Sequence, residues 1–326
     1  MITEWLAYQD LDGEKSLKSG VWKEERLLNI PNDAFFISNH DKSESYYFLD
    51  NAKTDLESLN TDLEKLCSQN TENKSISRTE YLQLLKDFKS NFDNYGVKKA
   101  IFSRIKLNNQ SLEDAYSKYL SLCDKYKGKA FIYLVASEKF GVWMGATPEI
   151  LIEREDNMYN TVSLAGTKVS EEQSWTEKEF EEQGLVTDFI EQKLHEIHVK
   201  TLKVGQRKTV FSGSVYHLKT KISFQYNVKD ENFVINQLHP TPAVCGLPRS
   251  KAQEIIKKFE THDRKLYTGL IGWKKPDKSK IYVNLRCMQL TPKGYAVFVG
   301  GGITSSSIPS DEWDETEHKS KTLLLK

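Results

Sequence analysis

The chain lacks the features that mark secreted, membrane-spanning and nucleic-acid-binding proteins. Its N-terminus shows no basic start followed by an apolar run, so we expect no secretory leader, and no apolar stretch approaches the roughly 20 residues that cross a bilayer. Lys+Arg 46 equal Asp+Glu 46, which leaves no basic excess for a nucleic-acid surface. The four cysteines form no CxxC pair and no zinc spacing. These absences favour a cytoplasmic protein with reduced thiols and no membrane segment.

The chain also lacks internal repeats and any linker rich in proline, glycine and serine. A hydrophobic fraction of 38% is enough for a sizeable core. Strand-like and helix-like stretches are mixed without regular alternation, and hairpins dominate, which favours an α+β fold in one domain, residues 1–326. The strand-like stretches are 97–107, 131–155, 209–224 and 280–302, and the helical ones are 81–92, 111–126, 177–197, 251–259 and 311–326.

The C-terminal helical stretch places three charged side chains on one face. Glu312, Glu315 and Lys319 follow at i, i+3 and i+7, with Ser310 as the predicted N-cap. A strand running into the glycines 300–302 comes just before, and glycines let backbone amides approach an anionic ligand closely. The pattern suits either a solvated helix start or a binding site.

A further carboxylate lies on the apolar face of the helix at 177–197. Glu182 precedes Leu185, Val186 and Phe189 by three, four and seven residues. A carboxylate on a face turned to the core is costly unless it is paired or binds a metal, although at the edge of that face it would reach water. With the carboxylates of the C-terminal helix, Glu182 could complete an all-oxygen site, which suits Mg²⁺.

Two further positions could carry acid–base chemistry. Lys98 and Lys99 are neighbours in a strand, so their side chains point to opposite sides and one of them should face a protected surface. Burial can turn a lysine into a general base, whereas an edge-strand lysine only guards against aggregation. Glu149 follows the turn at 146–148 and begins a strand, where it is either a catalytic acid or a solvated strand end.

Arg286 and two histidines complete the set of candidate residues. The segment KIYVNLRCMQL reads as one strand in which Arg286 shares a side with Tyr282 and Asn284. An arginine on the polar side of a strand suits bidentate carboxylate binding or a surface ion pair. His217 and His239 are isolated in the sequence and are interpreted as structural or ligand-lining.

The motifs of residues 95–326, taken in order, resemble those of the chorismate-utilising enzymes. This family includes anthranilate, aminodeoxychorismate, salicylate and isochorismate synthases. The matching segments are KKAIFSR, GATPEIL, SLAGT, EEQGLV, HPTPAVCGLPR, DRKLYTGLIGW, NLRCMQL, GGGI and EWDETEHK. The resemblance implies a single α+β domain of two stacked, largely antiparallel sheets wrapped by helices, with a cleft near the C-terminal helix.

The resemblance also implies roles for the candidate residues, with chorismate as the substrate. Lys99 would activate water for attack on ring C2, and Glu149 would protonate the departing C4 hydroxyl. A magnesium ion would orient the ring carboxylate. Its ligands would be Glu182 and Glu315 with Glu312 as a helper, and the substrate contacts would be Arg286, Tyr267, Gly300 and Lys319.

One loop points to a branch of the family. HPTPAVCGLPR resembles the isochorismate synthase form, and LAGT is followed by KVSEEQS instead of the Arg-Gly of the ammonia-using branches. We therefore expect isochorismate formation without a glutaminase partner, feeding menaquinone or else a catechol siderophore. Salicylate synthase is the alternative, and a non-catalytic homologue is a third. The pattern departs from the family in residues 1–95, which are divergent and shortened beside the catalytic core at 96–326, and at Lys265, where many members have glycine.

Overall fold

Seventeen strands and eight α-helices form the described part of the chain. The computed structural model describes residues 2–51, 56–68, 73–109, 114–212, 215–321 and 323. The strands are β1 Glu4–Gln9, β2 Lys15–Glu24, β3 Ala34–Ser38, β4 Ser45–Asp50, β5 Lys99–Asn108, β6 Phe131–Ser137, β7 Gly141–Thr147, β8 Ile150–Glu155, β9 Met158–Lys168, β10 Lys200–Val204, β11 Lys208–Ser212, β12 Val215–Gln225, β13 Gly246–Leu247, β14 Leu270–Lys274, β15 Lys278–Val283, β16 Cys287–Thr291 and β17 Gly294–Ile303. The helices are α1 Leu59–Ser68, α2 Arg78–Ser90, α3 Phe92–Tyr95, α4 Ala115–Lys125, α5 Glu177–Glu196, α6 Glu231–Leu238, α7 Arg249–Phe259 and α8 Pro309–Ser320.

All strands join one hydrogen-bonded ladder, and every pairing in it is antiparallel. At one edge of the ladder, β10 and β11 both pair with β12. From β12 to the other edge, the order is β9, β8, β15, β14, β3, β4, β2, β1, β6, β7, β16, β17, β5 and β13. The predicted α+β class with antiparallel strands is confirmed. The two expected sheets are the two halves of this ladder, which meet at the β3–β4 hairpin.

The two halves stack on each other through an aromatic core. The rings of Phe131 in β6 and Tyr282 in β15 lie 4.5 Å apart between centroids and almost parallel. Trp22 of β2 and Ile271 of β14 belong to the same buried cluster, although they come from different halves. On the outer faces, α1 and α4 cover one half and α5 and α6 cover the other. Non-polar burial between the layers holds the ladder in this doubled form.

Stacking brings the two ends of the ladder together. β5 and β17 lie at one end, and β9 and β12 at the other, so that α8, packed on β17, faces α5, packed on β9. The side chains of Lys99 in β5 and Glu182 in α5 form an ion pair across this junction. A cleft between the ends is therefore built into the topology.

The segment KIYVNLRCMQL is not one strand, and the prediction that Arg286 lies on the polar side of a strand is wrong. β15 ends at Val283 in one layer, and β16 starts at Cys287 in the other. Arg286 lies in the connection with φ of +47°. Its carbonyl oxygen accepts a hydrogen bond from the Ala146 N–H. Polar and apolar residue types keep alternating in the sequence from Ile281 to Cys287, so the sequence pattern did not reveal the crossing.

The starts of α5 and α8 differ in their capping. α5 begins after Thr176, whose backbone N–H donates to Glu179 Oε2 at 2.8 Å. α8 begins at Pro309 with Ile308 as its N-cap, so the predicted cap Ser310 is already inside the helix. Proline fits the first helical position because its missing N–H would be unpaired there. α8 ends at Ser320, so the prediction that this helix runs to residue 326 is wrong. In the described ranges, no helix has the length and apolar character needed to span a membrane.

Candidate active site

A cavity lies where the two ends of the ladder meet, and it gathers most of the predicted site. It is bounded by β9, β12, β17, α5, α8 and the connections β7–β8 and β15–β16. Seven of the nine predicted residues line it: Glu149, Glu182, Tyr267, Arg286, Gly300, Glu315 and Lys319. The other two, Lys99 and Glu312, lie next to the glycines Gly302 and Gly301 in its wall.

Lys98 lies just before β5, and Lys99, the first residue of the strand, is the buried member of the lysine pair. Its side chain is 0% exposed, whereas Lys98 points to solvent, which confirms that one of the two faces a protected surface. The ammonium lies 2.9 Å from Glu182 Oε1. This distance is that of an ion pair, but the atoms are not aligned for a hydrogen bond. At this depth the Glu182 carboxylate takes the place of water beside the Lys99 side chain.

Glu149 is buried, so the solvated strand end is excluded for it. Burial raises the pKa of its carboxyl group from 4.5 to about 7, because the charged form loses water. Lys99, Lys319 and Arg286 oppose this shift. Near neutral pH, a carboxyl group with this pKa is divided between its protonated and ionised forms and can give up a proton.

The C-terminal helix turns its charged face to the cavity and not to solvent. Lys319 Nζ lies 2.5 Å from Glu315 Oε1 and donates to the Gly300 carbonyl oxygen at 3.0 Å. Glu312 is 3% exposed. Burial raises the pKa of the Glu312 carboxyl group, and the negative charge of Glu315 adds to the effect. The reading of this face as a solvated helix start is therefore wrong.

Lys178 is a functional candidate that the sequence reading missed. It lies in the first turn of α5, and its Nζ is 3.1 Å from Glu312 Oε1. Burial opposes its charge, but Glu312, Glu182 and Glu315 outweigh burial and raise its pKa. Its position four residues before Glu182, on the same face of the helix, was the available signal.

Arg286 and Tyr267 form another part of the wall. Both side chains are buried, so a surface ion pair is excluded for Arg286. Burial lowers the pKa of the Arg286 guanidinium, while Tyr267 and Glu315 act in the opposite direction. The Tyr267 hydroxyl lies 3.0 Å from the position that a Cβ at Gly300 would take. A cation and a hydroxyl are thus placed to meet an anionic ligand.

The two histidines differ in position. His217 lines the cavity, and its Nδ1 lies 2.8 Å from the Gly166 carbonyl oxygen. Burial lowers its pKa to about 3, with Arg286 and Lys319 contributing, so the ring is neutral. Nδ1 must donate to the carbonyl, which leaves Nε2 as a hydrogen-bond acceptor. His239 is fully buried and is not part of the cavity wall.

The carboxylates have the donor chemistry for Mg²⁺. In the present arrangement, no three acidic, histidine or cysteine side chains of the described ranges stand close enough to enclose a metal ion. Glu312 Oε2 and Glu315 Oε1 nevertheless lie 3.1 and 3.5 Å from the position of a Cβ at Gly301, and Glu182 Oε1 lies 2.6 Å from that of Gly302. A side chain at either glycine would fill the space beside these oxygens. The donor set therefore fits a hard cation, and its role as a metal site stays a prediction.

Comparison with known proteins agrees on one family. The family model described as "Chorismate binding enzyme" matches residues 32–326. The chain is 32% identical to isochorismate synthase MenF of Haemophilus influenzae over 246 residues, which is 70% of this chain and 57% of that protein. The chain thus spans little more than half the length of this relative.

Solved structures share the fold. A 2,3-dihydroxybenzoate-specific isochorismate synthase, DhbC of Bacillus anthracis, superposes with a TM-score of 0.80 at 19% identity and covers 98% of this chain and 95% of its own. Anthranilate synthase component I of Streptococcus pneumoniae gives 0.71 at 15% identity and covers 98% and 89%. Since both branches share it, the fold does not distinguish water from ammonia as the nucleophile.

Proposed function

Since this chain belongs to the family of chorismate binding enzymes, we propose that it converts chorismate to isochorismate with the help of Mg²⁺. The observation that carries the proposal is the cavity in which the Lys99–Glu182 ion pair and the buried Glu149 carboxyl group meet. An allylic hydroxyl transfer needs a base for the incoming water and an acid for the departing hydroxyl, and this cavity offers both.

In the proposed reaction, Lys99 in its uncharged form takes a proton from a water molecule as the water oxygen bonds to ring C2. The double bond shifts, the C4–O bond breaks, and Glu149 gives its proton to the departing hydroxyl. One water enters and one leaves, so the reaction is an isomerisation. The fully buried Lys99 has no access to bulk water, so its proton exchange is confined to the cavity.

Substrate orientation would come from the cations and the hydroxyl of the wall. Chorismate carries two carboxylates, and Arg286 and Lys319 are the cavity-lining cations suited to them. Tyr267 and the backbone of Gly300 complete the proposed contacts. Glu182, Glu315 and Glu312 would hold the magnesium ion, which neutralises and orients the ring carboxylate when bound.

The choice of water as nucleophile is supported by the loop HPTPAVCGLPR. Ala243 and Val244 of this loop line the cavity with apolar side chains. In its sequence, the loop resembles the isochorismate synthase form, in which water is the nucleophile. We therefore propose a stand-alone enzyme without a glutaminase subunit, in the cytoplasm, where its free thiols would persist. Menaquinone biosynthesis is the proposed destination of the product, following the likeness to MenF.

The decisive experiment is incubation of the purified protein with chorismate and Mg²⁺, followed by identification of the products. We expect isochorismate without pyruvate. Salicylate with pyruvate would overturn the proposal in favour of the alternative salicylate synthase, and no turnover at all would favour a non-catalytic homologue.

Two neighbouring lysines give a matched test of the base. Lys99→Ala should reduce turnover by about 10²- to 10⁴-fold, the usual contribution of a positioned base. Lys98→Ala removes the same charge from the exposed residue just before β5 and should leave turnover unchanged. Equal turnover in both variants would contradict the role of Lys99.

A further inference from the structure

Glu182, Glu312 and Glu315 form a carboxylate cluster at the cavity. Each of them is paired with a lysine, and the three lysines differ in their exposure to solvent. Lys99 pairs with Glu182, Lys319 with Glu315, and Lys178 with Glu312. Lys99 is 0% exposed, Lys319 16% and Lys178 35%. Lys319 is also tied to the Gly300 carbonyl oxygen. Of the three, Lys178 is therefore the most accessible to solvent.

The position of Lys178 is not explained by its own helix. A cation in the first turn of a helix is disfavoured by the helix dipole, which attracts anions there. Its partner Glu312 is almost completely buried and cannot follow it outward. Lys178 is held at this place by the negative charge of the cluster, and it can leave while Glu312 stays.

We propose that Lys178 is a resident counter-cation of the carboxylate cluster, which a divalent metal ion must displace before it binds Glu312. This inference rests on the magnesium part of the proposed function. In the metal-free protein the lysine offsets the repulsion between Glu312 and Glu315. When a metal ion arrives, it competes with Lys178 for Glu312, and the partly exposed lysine moves into solvent. Lys178 thus sets the metal affinity without being a ligand.

The test is Mg²⁺ binding, measured by calorimetry and by the rise in Tm with added MgCl₂, without substrate. Lys178→Gln should bind Mg²⁺ about three- to tenfold more tightly, since the competing ion pair is lost, and should have a lower Tm in the metal-free state. Lys193→Gln is the matched control, because this lysine of the same helix pairs with Glu196 at its other end. We expect wild-type affinity there.

Lys178→Arg gives the opposite prediction and covers the case in which the glutamine variant does not fold. Arginine pairs with a carboxylate through two hydrogen bonds, so it should be harder to displace and should weaken Mg²⁺ binding. Unchanged or weaker Mg²⁺ binding by Lys178→Gln would overturn this inference, and so would unchanged or tighter Mg²⁺ binding by Lys178→Arg. Neither result would affect the proposed function. Absence of Mg²⁺ binding by the wild-type protein would remove the magnesium part of the proposed function as well.

Discussion

The pKa of Glu149 shows how the stacking of the two layers determines the chemistry of a single residue. Glu149 follows Pro148 in the connection from β7 to β8, where the chain crosses between the layers. The crossing takes the carboxyl group out of water, and three cations nearby only partly compensate. A pKa of about 7 results, which suits an acid at neutral pH.

Glu149 should therefore produce a fall in turnover as pH rises. The protonated form gives the proton, so kcat should decline on the alkaline side of about pH 7. Glu149→Gln cannot transfer a proton and should lose turnover without showing this decline. A pH–rate profile of both proteins checks the prediction, and an unchanged alkaline decline in the variant would assign it to another group.

The same pKa shift predicts a pH-dependent stability difference. Because the pKa of Glu149 is raised on folding from 4.5 to about 7, its contribution is intact below about pH 4.5 and is lost as pH rises through 7. Glu149→Gln should be more stable than the wild type by up to about 3 kcal/mol at pH 8.5 and close to it at pH 4.5. Denaturant unfolding at both pH values measures this. A difference independent of pH would contradict the buried, titrating carboxyl group.

At the scale of elements, the site depends on how closely β17 approaches α5 and α8. The strand can pass beside the carboxylates because glycines occupy 300–302. Arg104 of β5 secures α8 from the other side: its Nε donates to Thr316 Oγ1 at 2.9 Å, and its guanidinium lies 3.7 Å from the Trp313 ring centroid. The spacing between strand and helices is therefore fixed by packing on both sides of α8.

A methyl group at Gly302 should damage the site more than the fold. A Cβ there would lie 2.6 Å from Glu182 Oε1 and 3.0 Å from Lys99 Cε, so Gly302→Ala must displace the end of Glu182. We expect turnover to fall at least about tenfold, since catalysis is sensitive to displacements of about 1 Å. Tm should change little.

Gly184→Ala is the control for this substitution. Gly184 lies in α5 with nothing within 4 Å of its would-be Cβ. The change should leave turnover intact and stabilise the protein by up to about 1 kcal/mol, because alanine is the better helix former. Equal losses of turnover in both variants would contradict a local effect at Gly302.

At the scale of the whole molecule, the N-terminal strands join the two halves of the ladder. β1 pairs with β6, β2 joins β1 to β4, and β3 carries the ladder on to β14. Trp5 and Trp22 of these strands are completely buried. The divergent first 95 residues are thus part of the same sheet as the segments that carry the site.

A fragment of residues 96–326 should therefore fail to fold by itself. It would remove β1 from the edge of β6 and β3 from the edge of β14, and would expose the aromatic core between the layers. We expect no cooperative thermal transition and little near-ultraviolet circular dichroism, in contrast to the whole chain. A sharp transition in the fragment would mean that these residues form a domain of their own, against the predicted single domain.

Local patterns were sufficient for several features. The helical stretch predicted from residue 177 agrees with α5, which begins at Glu177. Alternation predicted that the side chains of Lys98 and Lys99 diverge, and one is exposed while the other is buried, although β5 begins only at Lys99. The helical period placed Glu312, Glu315 and Lys319 on one face of α8. Each of these depends on residues close together in sequence.

The sequence by itself therefore determined the α+β class, several of the strands and helices, and the shared face of Glu312, Glu315 and Lys319. Only the tertiary structure decided that Glu149 is buried, that Arg286 crosses between layers, and that Lys178 meets Glu312. Burial and charge pairing between distant segments cannot be read from the local periodicity of the sequence. They arise when the ladder doubles over and its two ends meet, and that is where the candidate active site lies.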